Sequence, residues 1–198
     1  MKLKRFFLDC FACFLIPAYT LLFAGSMKWF ATNFSVLAVT GPDHYRGFVY
    51  WGILAGGYFL VVLTGLAGRL SLPGARFTVR VLTGVALLSL AYAVAIPYLP
   101  DRFPKYAALH VALAASACGV LMLALLLVIL FRRQEDPARY AGALRAWGLI
   151  VAGCAVLFLI PRMVSTALEV FFTITAALLA RRLVLLDKPA LDKPPSGA

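Results

Sequence analysis

Six apolar runs of about 20 residues each follow one another along this chain, separated by short segments that collect most of the charged residues. A helix of that length crosses the hydrocarbon layer of a bilayer, which is about 30 Å thick. The runs lack the alternation of apolar and polar residues that the strands of a membrane barrel need. The pattern therefore predicts an all-α, polytopic membrane protein built as a six-transmembrane-helix bundle.

We predict one transmembrane domain over residues 1–186 and a flexible cytoplasmic tail over residues 187–198. The predicted spans are residues 6–25, 48–68, 79–98, 106–131, 144–160 and 163–183. Composition agrees, because 63% of the residues are hydrophobic and the mean hydropathy is +0.93. Pro17 predicts a kink in the first span. The basic start of the chain also resembles a signal peptide, but Asp9 and the length of the run favour a retained helix.

The basic residues predict the orientation of the bundle. With the N-terminus inside, 14 of the 19 lysines and arginines lie on one side of the predicted spans, and only Lys28, Arg46, Arg102, Lys105 and Arg162 lie on the other. Because Lys and Arg stay preferentially on the cytoplasmic side, both termini are predicted to be cytoplasmic in a multi-pass cell membrane protein, in the cytoplasmic membrane if the source is bacterial. We interpret the net charge of +11 as a signal of membrane orientation and of attraction to anionic lipids. We expect no nucleic-acid partner.

Four cysteines lie within the predicted spans. Cys10 and Cys13 have the spacing of a redox or metal-binding pair, but they lie at the cytoplasmic end of the first span and no second ligand pair accompanies them. Apolar packing is the favoured interpretation. The sequence offers no adequate ligand set for a metal, haem or nucleotide, so no cofactor is predicted.

Two ionisable residues inside predicted spans point to a functional site. Such groups are costly in the bilayer and persist only with a partner or a purpose. His110 lies near the start of the fourth span and Glu169 near the start of the sixth. Both spans begin on the outer side, which places the two side chains at comparable depth, where they could meet.

Further polar residues fall on the same side of the membrane. They are Tyr98, Tyr106, Arg162, Asn33, Ser35 and Arg46. We interpret the set as an outward-facing polar pocket with His110 and Glu169 at its centre, roofed by the first loop. The alternative is structural: His110 and Glu169 pair with each other or with neighbouring polar groups and lock the helices together.

Three sequence segments carry a resemblance to known proteins. They are Ile96-Pro-Tyr-Leu-Pro-Asp-Arg-Phe-Pro-Lys-Tyr-Ala-Ala-Leu-His110, Asn33-Phe-Ser-Val-Leu, and the Gly-Phe-x-x-Trp-Gly helix start at Gly47. With Glu169, they resemble bacterial six-helix integral membrane proteins of uncharacterised function. More distantly, the chain is similar to the DRAM-type family of autophagy modulators and GPI-lipid remodelling factors. The resemblance implies a six-helix fold, dealings with lipid, and roles for His110 and Glu169.

Three classes of function follow. The first is a lipid-interacting protein or an accessory to lipid remodelling, in which Arg162, His110 and Tyr98 receive a head group. The second is a membrane-embedded hydrolase or transferase with His110 as general base on water or on a hydroxyl such as that of Ser35. No GxSxG or HExxH motif supports the second class, so an enzyme is the less favoured interpretation. The third is a small transporter or channel that uses Glu169 to bind a proton or cation. Membrane lipids are the expected partners, and a protein partner or homo-oligomer is left open.

Overall fold

The computed structural model describes residues 2–25 and 27–187, and within them the chain forms helices and no strand. The all-α prediction is confirmed. The remaining residues of the predicted tail lie outside the described part of the chain. The elements are α1 (Lys2–Cys10), a π-helical turn (Phe11–Leu15), α2 (Ile16–Ala24), α3 (Phe34–Ala38), α4 (Pro42–Gly68), α5 (Pro73–Ala95), α6 (Pro104–Glu135), α7 (Pro137–Leu159) and α8 (Thr166–Leu186).

Five segments are long and apolar enough to cross a membrane, and they indicate a multi-pass membrane protein. They are Phe6–Ala24, Pro42–Gly68, Pro73–Ala95, Pro104–Glu135 and Pro137–Leu159. The last helix, α8, has 21 residues but differs in composition. Any 18 consecutive residues of α8 include Glu169, Arg181 and Arg182, so it is more charged than the other long helices.

Four of the long helices begin with proline. Pro42, Pro73, Pro104 and Pro137 start α4, α5, α6 and α7. Proline suits the first helical position for two reasons. Its φ angle is already close to the helical value, and an N–H group at this position would have no acceptor within the helix. α4, α5 and α7 start six or seven residues before the predicted spans, and α6 starts two residues before its span. An apolar run marks the part of a helix that lies in the hydrocarbon layer, whereas these helices continue into the polar boundary between lipid and water.

The first long segment contains the π-helical turn directly before Pro17. Pro17 has no N–H to donate to the carbonyl of Cys13, so an α-helical hydrogen bond is missing at that point. Instead, the backbone N–H of Ile16 donates to the carbonyl oxygen of Phe11, five residues earlier. Where Pro17 predicts a kink, the structure has a wider, π-helical turn between α1 and α2.

The long helices pack around a common core. Each of α4 to α8 contacts the next along the chain, and α8 also packs against α2 and α4, which closes the bundle. The larger apolar cluster includes Leu63, Leu125, Ile129 and Leu183, all fully buried. A smaller cluster, built around Phe34, lies beneath the short helix α3. We call the end of the bundle with α3 and the α5–α6 and α7–α8 connections the α3 end, and the opposite end the arginine end.

Polar contacts fasten three segments at the arginine end. Arg132, near the end of α6, pairs with Asp187 after α8 and donates to the backbone carbonyl of Arg69 between α4 and α5, at 2.9 Å. Arg132 also pairs with Glu135 at 2.8 Å, and the Ser71 hydroxyl donates to the other oxygen of Glu135 at 2.7 Å. Only 2% of the Asp187 side chain is exposed, so this acid depends on its arginine partners.

We predict that Arg132→Gln weakens the fold. The substitution leaves the buried Asp187 carboxylate without its closest cation, which should lower the free energy of unfolding by about 2 to 3 kcal/mol. Unfolding in detergent micelles would measure the loss. Arg133→Gln is the matched control, because Arg133 is exposed and next in sequence. Equal stability of the two variants would contradict the prediction.

Candidate functional site

The α3 end is organised around α3, a five-residue helix within the first loop. Asn33 caps it: its side-chain oxygen accepts the N–H of Val36 at 2.9 Å. The side-chain amide of Asn33 donates to the carbonyl of Val164, which precedes α8, at 3.2 Å. Asparagine is a preferred N-cap residue, and here one side chain both starts α3 and ties the first loop to the α7–α8 connection.

The start of α8 is satisfied by the same loop. The backbone N–H of Thr166 donates to the carbonyl of Thr32 at 2.7 Å, and that of Ala167 donates to the carbonyl of Trp29 at 2.9 Å. The Thr166 hydroxyl also donates to the Thr32 carbonyl, at 2.9 Å. Helix starts have N–H groups without helical partners, and burial makes such groups costly. The loop therefore caps α8 through its backbone.

Glu169 completes this exchange in the opposite direction. Its Oε2 atom accepts the backbone N–H of Phe34, the first residue of α3, at 2.6 Å. The loop thus caps α8, while α8 supplies the acceptor that satisfies the start of α3. We call these hydrogen bonds between residues 29–34 and 164–169 the reciprocal cap.

His110 is bound to Ser35, the residue that follows Phe34. The Nε2 atom of His110 lies 2.7 Å from the Ser35 hydroxyl oxygen, and Nδ1 lies 2.8 Å from the carbonyl oxygen of Ile96. A carbonyl can only accept, so Nδ1 carries the hydrogen in this bond. In the neutral ring Nε2 is then the acceptor, and the hydroxyl of Ser35 donates to it.

Both members of this pair are buried. His110 is 4% exposed and Ser35 is 9% exposed. The ring of Tyr98 lies against His110, with ring centres 5.6 Å apart. The imidazole is therefore held on one side by Tyr98 and at Nδ1 by the end of α5, and its second nitrogen faces a hydroxyl. Nucleophilic catalysis uses this arrangement of hydroxyl, base and orienting acceptor.

His110 and Glu169 thus meet consecutive residues of α3. In the described residues their hydrogen bonds run to Ser35 and Phe34, not to each other. Asn33, Ser35 and Tyr98 join the same assembly. The partner that orients His110 is the carbonyl of Ile96, and sequence patterns carry no signal for a backbone carbonyl.

The other predicted residues lie at the surface of the α3 end. Tyr106 is 60% exposed and packs edge-on against Phe103. Arg46 pairs with Asp43 at 3.6 Å, with both side chains exposed. Arg162 is exposed and has a φ of 53°, in the left-handed region that disfavours residues other than glycine. These residues surround the buried assembly without contributing to its hydrogen bonds.

Cys10, Cys13, Cys118 and Cys154 are free thiols. Across residues 2–25 and 27–187, no three His, Cys, Asp or Glu side chains converge as metal ligands would.

Comparisons with known proteins add no identity: no protein family matches the chain, and no curated protein or solved structure is significantly similar to it.

We predict that Glu169→Ala destabilises the protein more than Glu169→Gln. The alanine leaves the Phe34 N–H without an acceptor, at a cost of about 1.5 to 3 kcal/mol, whereas the glutamine amide oxygen can still accept. Thermal unfolding of the purified variants in detergent would measure both. If the two substitutions are equally harmful, the negative charge matters and the hydrogen bond to Phe34 is not the reason for Glu169.

Proposed function

We propose that the protein spans the membrane six times, with both termini and the arginine end on the cytoplasmic side. The proposal adds α8 to the five apolar segments. Two of its charged residues have partners: Glu169 accepts from Phe34, and Arg181 pairs with Asp9 of α1 at 2.7 Å. Partnered charges reduce the cost of placing such a helix in a bilayer. The excess of Lys and Arg at the arginine end supports the orientation.

Cysteine labelling tests this topology. In a variant without native cysteines, Thr40→Cys and Arg162→Cys should react with a membrane-impermeant maleimide on intact cells. Gln134→Cys, or a cysteine added after Ala198, should react only after permeabilisation. Labelling of the C-terminal cysteine on intact cells would contradict a crossing by α8.

For the chemistry, we propose that the α3 end acts on ester-bearing membrane lipids by hydrolysis or acyl transfer, with Ser35 as nucleophile and His110 as general base. The observation that carries this is the 2.7 Å contact between Ser35 Oγ and His110 Nε2, with Nδ1 held by Ile96. It favours the hydrolase or transferase class over a transporter, because the Glu169 carboxylate already accepts the Phe34 N–H.

The reaction follows from this geometry. Ser35 Oγ attacks the carbonyl carbon of the ester while its proton passes to His110 Nε2. The imidazolium returns that proton to the oxygen of the leaving alcohol, and the acyl group remains on Ser35. Water or a second alcohol then attacks the acyl group, its proton passes to His110, and the acyl–Ser35 bond breaks as Ser35 regains a proton. The carbonyl of Ile96 accepts from Nδ1 throughout and stabilises the imidazolium.

The surroundings of the pair support a lipid as substrate. Exposed aromatic side chains border the α3 end, among them Trp29, Phe30, Phe103 and Tyr106. Aromatic residues of this kind are typical of the boundary between lipid and water. Arg162 is an exposed cation at the same end that could receive a phosphate. Because Ser35 and His110 are buried, a lipid must displace part of the first loop to reach Oγ. The resemblance of the sequence to the DRAM-type family, which includes GPI-lipid remodelling factors, would also fit a lipid substrate.

An alkyl fluorophosphonate tests the nucleophile directly, because it transfers its phosphonyl group to an activated serine with loss of fluoride. We expect the folded wild-type protein to gain the mass of one phosphonyl group on Ser35. The Ser35→Ala variant should gain none, and His110→Gln should react at least about 100-fold more slowly.

Ser71→Ala is the matched control, since Ser71 lies at the opposite end and should leave labelling unchanged. Thermal unfolding checks that each variant is folded. If the wild type is not labelled, or if Ser35→Ala is labelled equally, the Ser35–His110 bond only fastens α3, as in the structural alternative.

A further inference from the structure

A second site is suggested at the arginine end, where α7 and α8 pack closely. A Cβ atom added to Gly142 of α7 would lie 2.5 Å from Nη2 of Arg182 and 3.5 Å from its Cζ. The guanidinium of Arg182 therefore rests directly on the backbone of α7. Glycine in a helix interior lowers helix stability by about 1 kcal/mol relative to alanine. At position 142 the absence of a Cβ atom makes room for the Arg182 guanidinium.

A second arginine lies one helical turn from Gly142 on α7. Arg145 follows Gly142 by three residues, which places it one turn along the same side of α7. Both Arg145 and Arg182 are exposed, and neither takes part in a hydrogen bond or ion pair with residues 2–25 or 27–187. Asp136, the acid nearest to Arg145 in the sequence, uses its side chain to cap α7 through the N–H of Arg139. Asp187, the acid nearest to Arg182, pairs with Arg69 and Arg132. Among the described residues, neither arginine thus has an acidic partner.

We infer that Arg145 and Arg182, with Gly142 between them, form a binding site for a phosphate group, as carried by an anionic lipid of the leaflet at the arginine end. Guanidinium groups bind phosphate oxygens through paired hydrogen bonds, and two of them together suit one phosphate. The site is independent of Ser35 and His110, which lie at the opposite end of the bundle. Its partner could be a lipid head group or free phosphate, and these share the same recognition chemistry.

Gly142 allows the site to be tested without disturbing the fold. In Gly142→Ala the new methyl group meets only the mobile end of the Arg182 side chain, so the guanidinium moves while the helices stay packed. Gly148→Ala is the matched control. Gly148 lies on the same helix, and a Cβ atom added there meets nothing within 4 Å. Both variants should gain stability from the better helix former, but only Gly142→Ala should lose ligand.

The experiment is native mass spectrometry of the full-length protein with phosphatidylglycerol and with phosphatidylcholine. We expect preferential retention of phosphatidylglycerol, reduced about tenfold in Arg182→Gln and Arg145→Gln and several-fold in Gly142→Ala. Arg80→Gln should retain it as the wild type does, since Arg80 is an exposed arginine at the same end but on α5. Wild-type retention in Gly142→Ala and Arg182→Gln, or an equal loss in Arg80→Gln, would overturn the site in favour of general surface attraction.

A second experiment, with inorganic phosphate, distinguishes a lipid head group from free phosphate as the ligand. If millimolar phosphate stabilises the wild type against heating as much as phosphatidylglycerol does, and Arg182→Gln abolishes both effects, the site takes free phosphate as well. If only the lipid stabilises, and Arg182→Gln abolishes that effect, the ligand is the head group. Stabilisation by either ligand that persists in Arg182→Gln would overturn the site.

Discussion

The α3 end depends on one constraint: a buried backbone N–H must find an acceptor. The first residues of α3 and of α8 both raise this problem, since neither helix start can satisfy its own N–H groups. The reciprocal cap solves both at once. Carbonyls of Trp29 and Thr32 accept from α8, and the Glu169 carboxylate accepts from Phe34. The first loop and the last helix are therefore not independent elements, and the position of each fixes the other.

This constraint also sets the geometry of the Ser35–His110 pair. Ser35 directly follows Phe34, so the hydrogen bond that anchors Phe34 to α8 also fixes where the Ser35 hydroxyl lies. His110 approaches from α6 and is held at Nδ1 by Ile96 at the end of α5. Four segments thus converge on one hydroxyl–imidazole contact. This geometry is compatible with a purely structural hydrogen bond and with a catalytic pair. The two differ in whether the Ser35 hydroxyl reacts with an electrophile.

The sequence predicts much of this fold because its signals are local. Apolar runs mark the five membrane-length segments, and Pro17 marks the position of the irregular turn before α2. The short helix α3 within the first loop was not predicted. His110 and Glu169 stand out as polar groups in apolar surroundings. The predicted spans miss the proline-led first turns of α4 to α7, because hydropathy does not register a helix that continues into polar boundary. The Ser35 hydroxyl was a predicted candidate for His110, and the structure places the two in contact. The other partners of His110 and Glu169 were beyond prediction, because Ile96 and Phe34 contribute backbone atoms whose positions depend on the tertiary fold.

The two ends of the bundle satisfy their polar groups by different means. The α3 end uses backbone acceptors and side chains around a buried loop, where a buried N–H group without an acceptor would be costly. The arginine end uses guanidinium groups, which reach several acceptors from one position, as Arg132 does with Asp187, Glu135 and the carbonyl of Arg69. Arg145 and Arg182 are the contrasting case at that end, because neither pairs with an acid among the described residues. The phosphate site proposed at Gly142 would supply these two arginines with an anion from outside the chain.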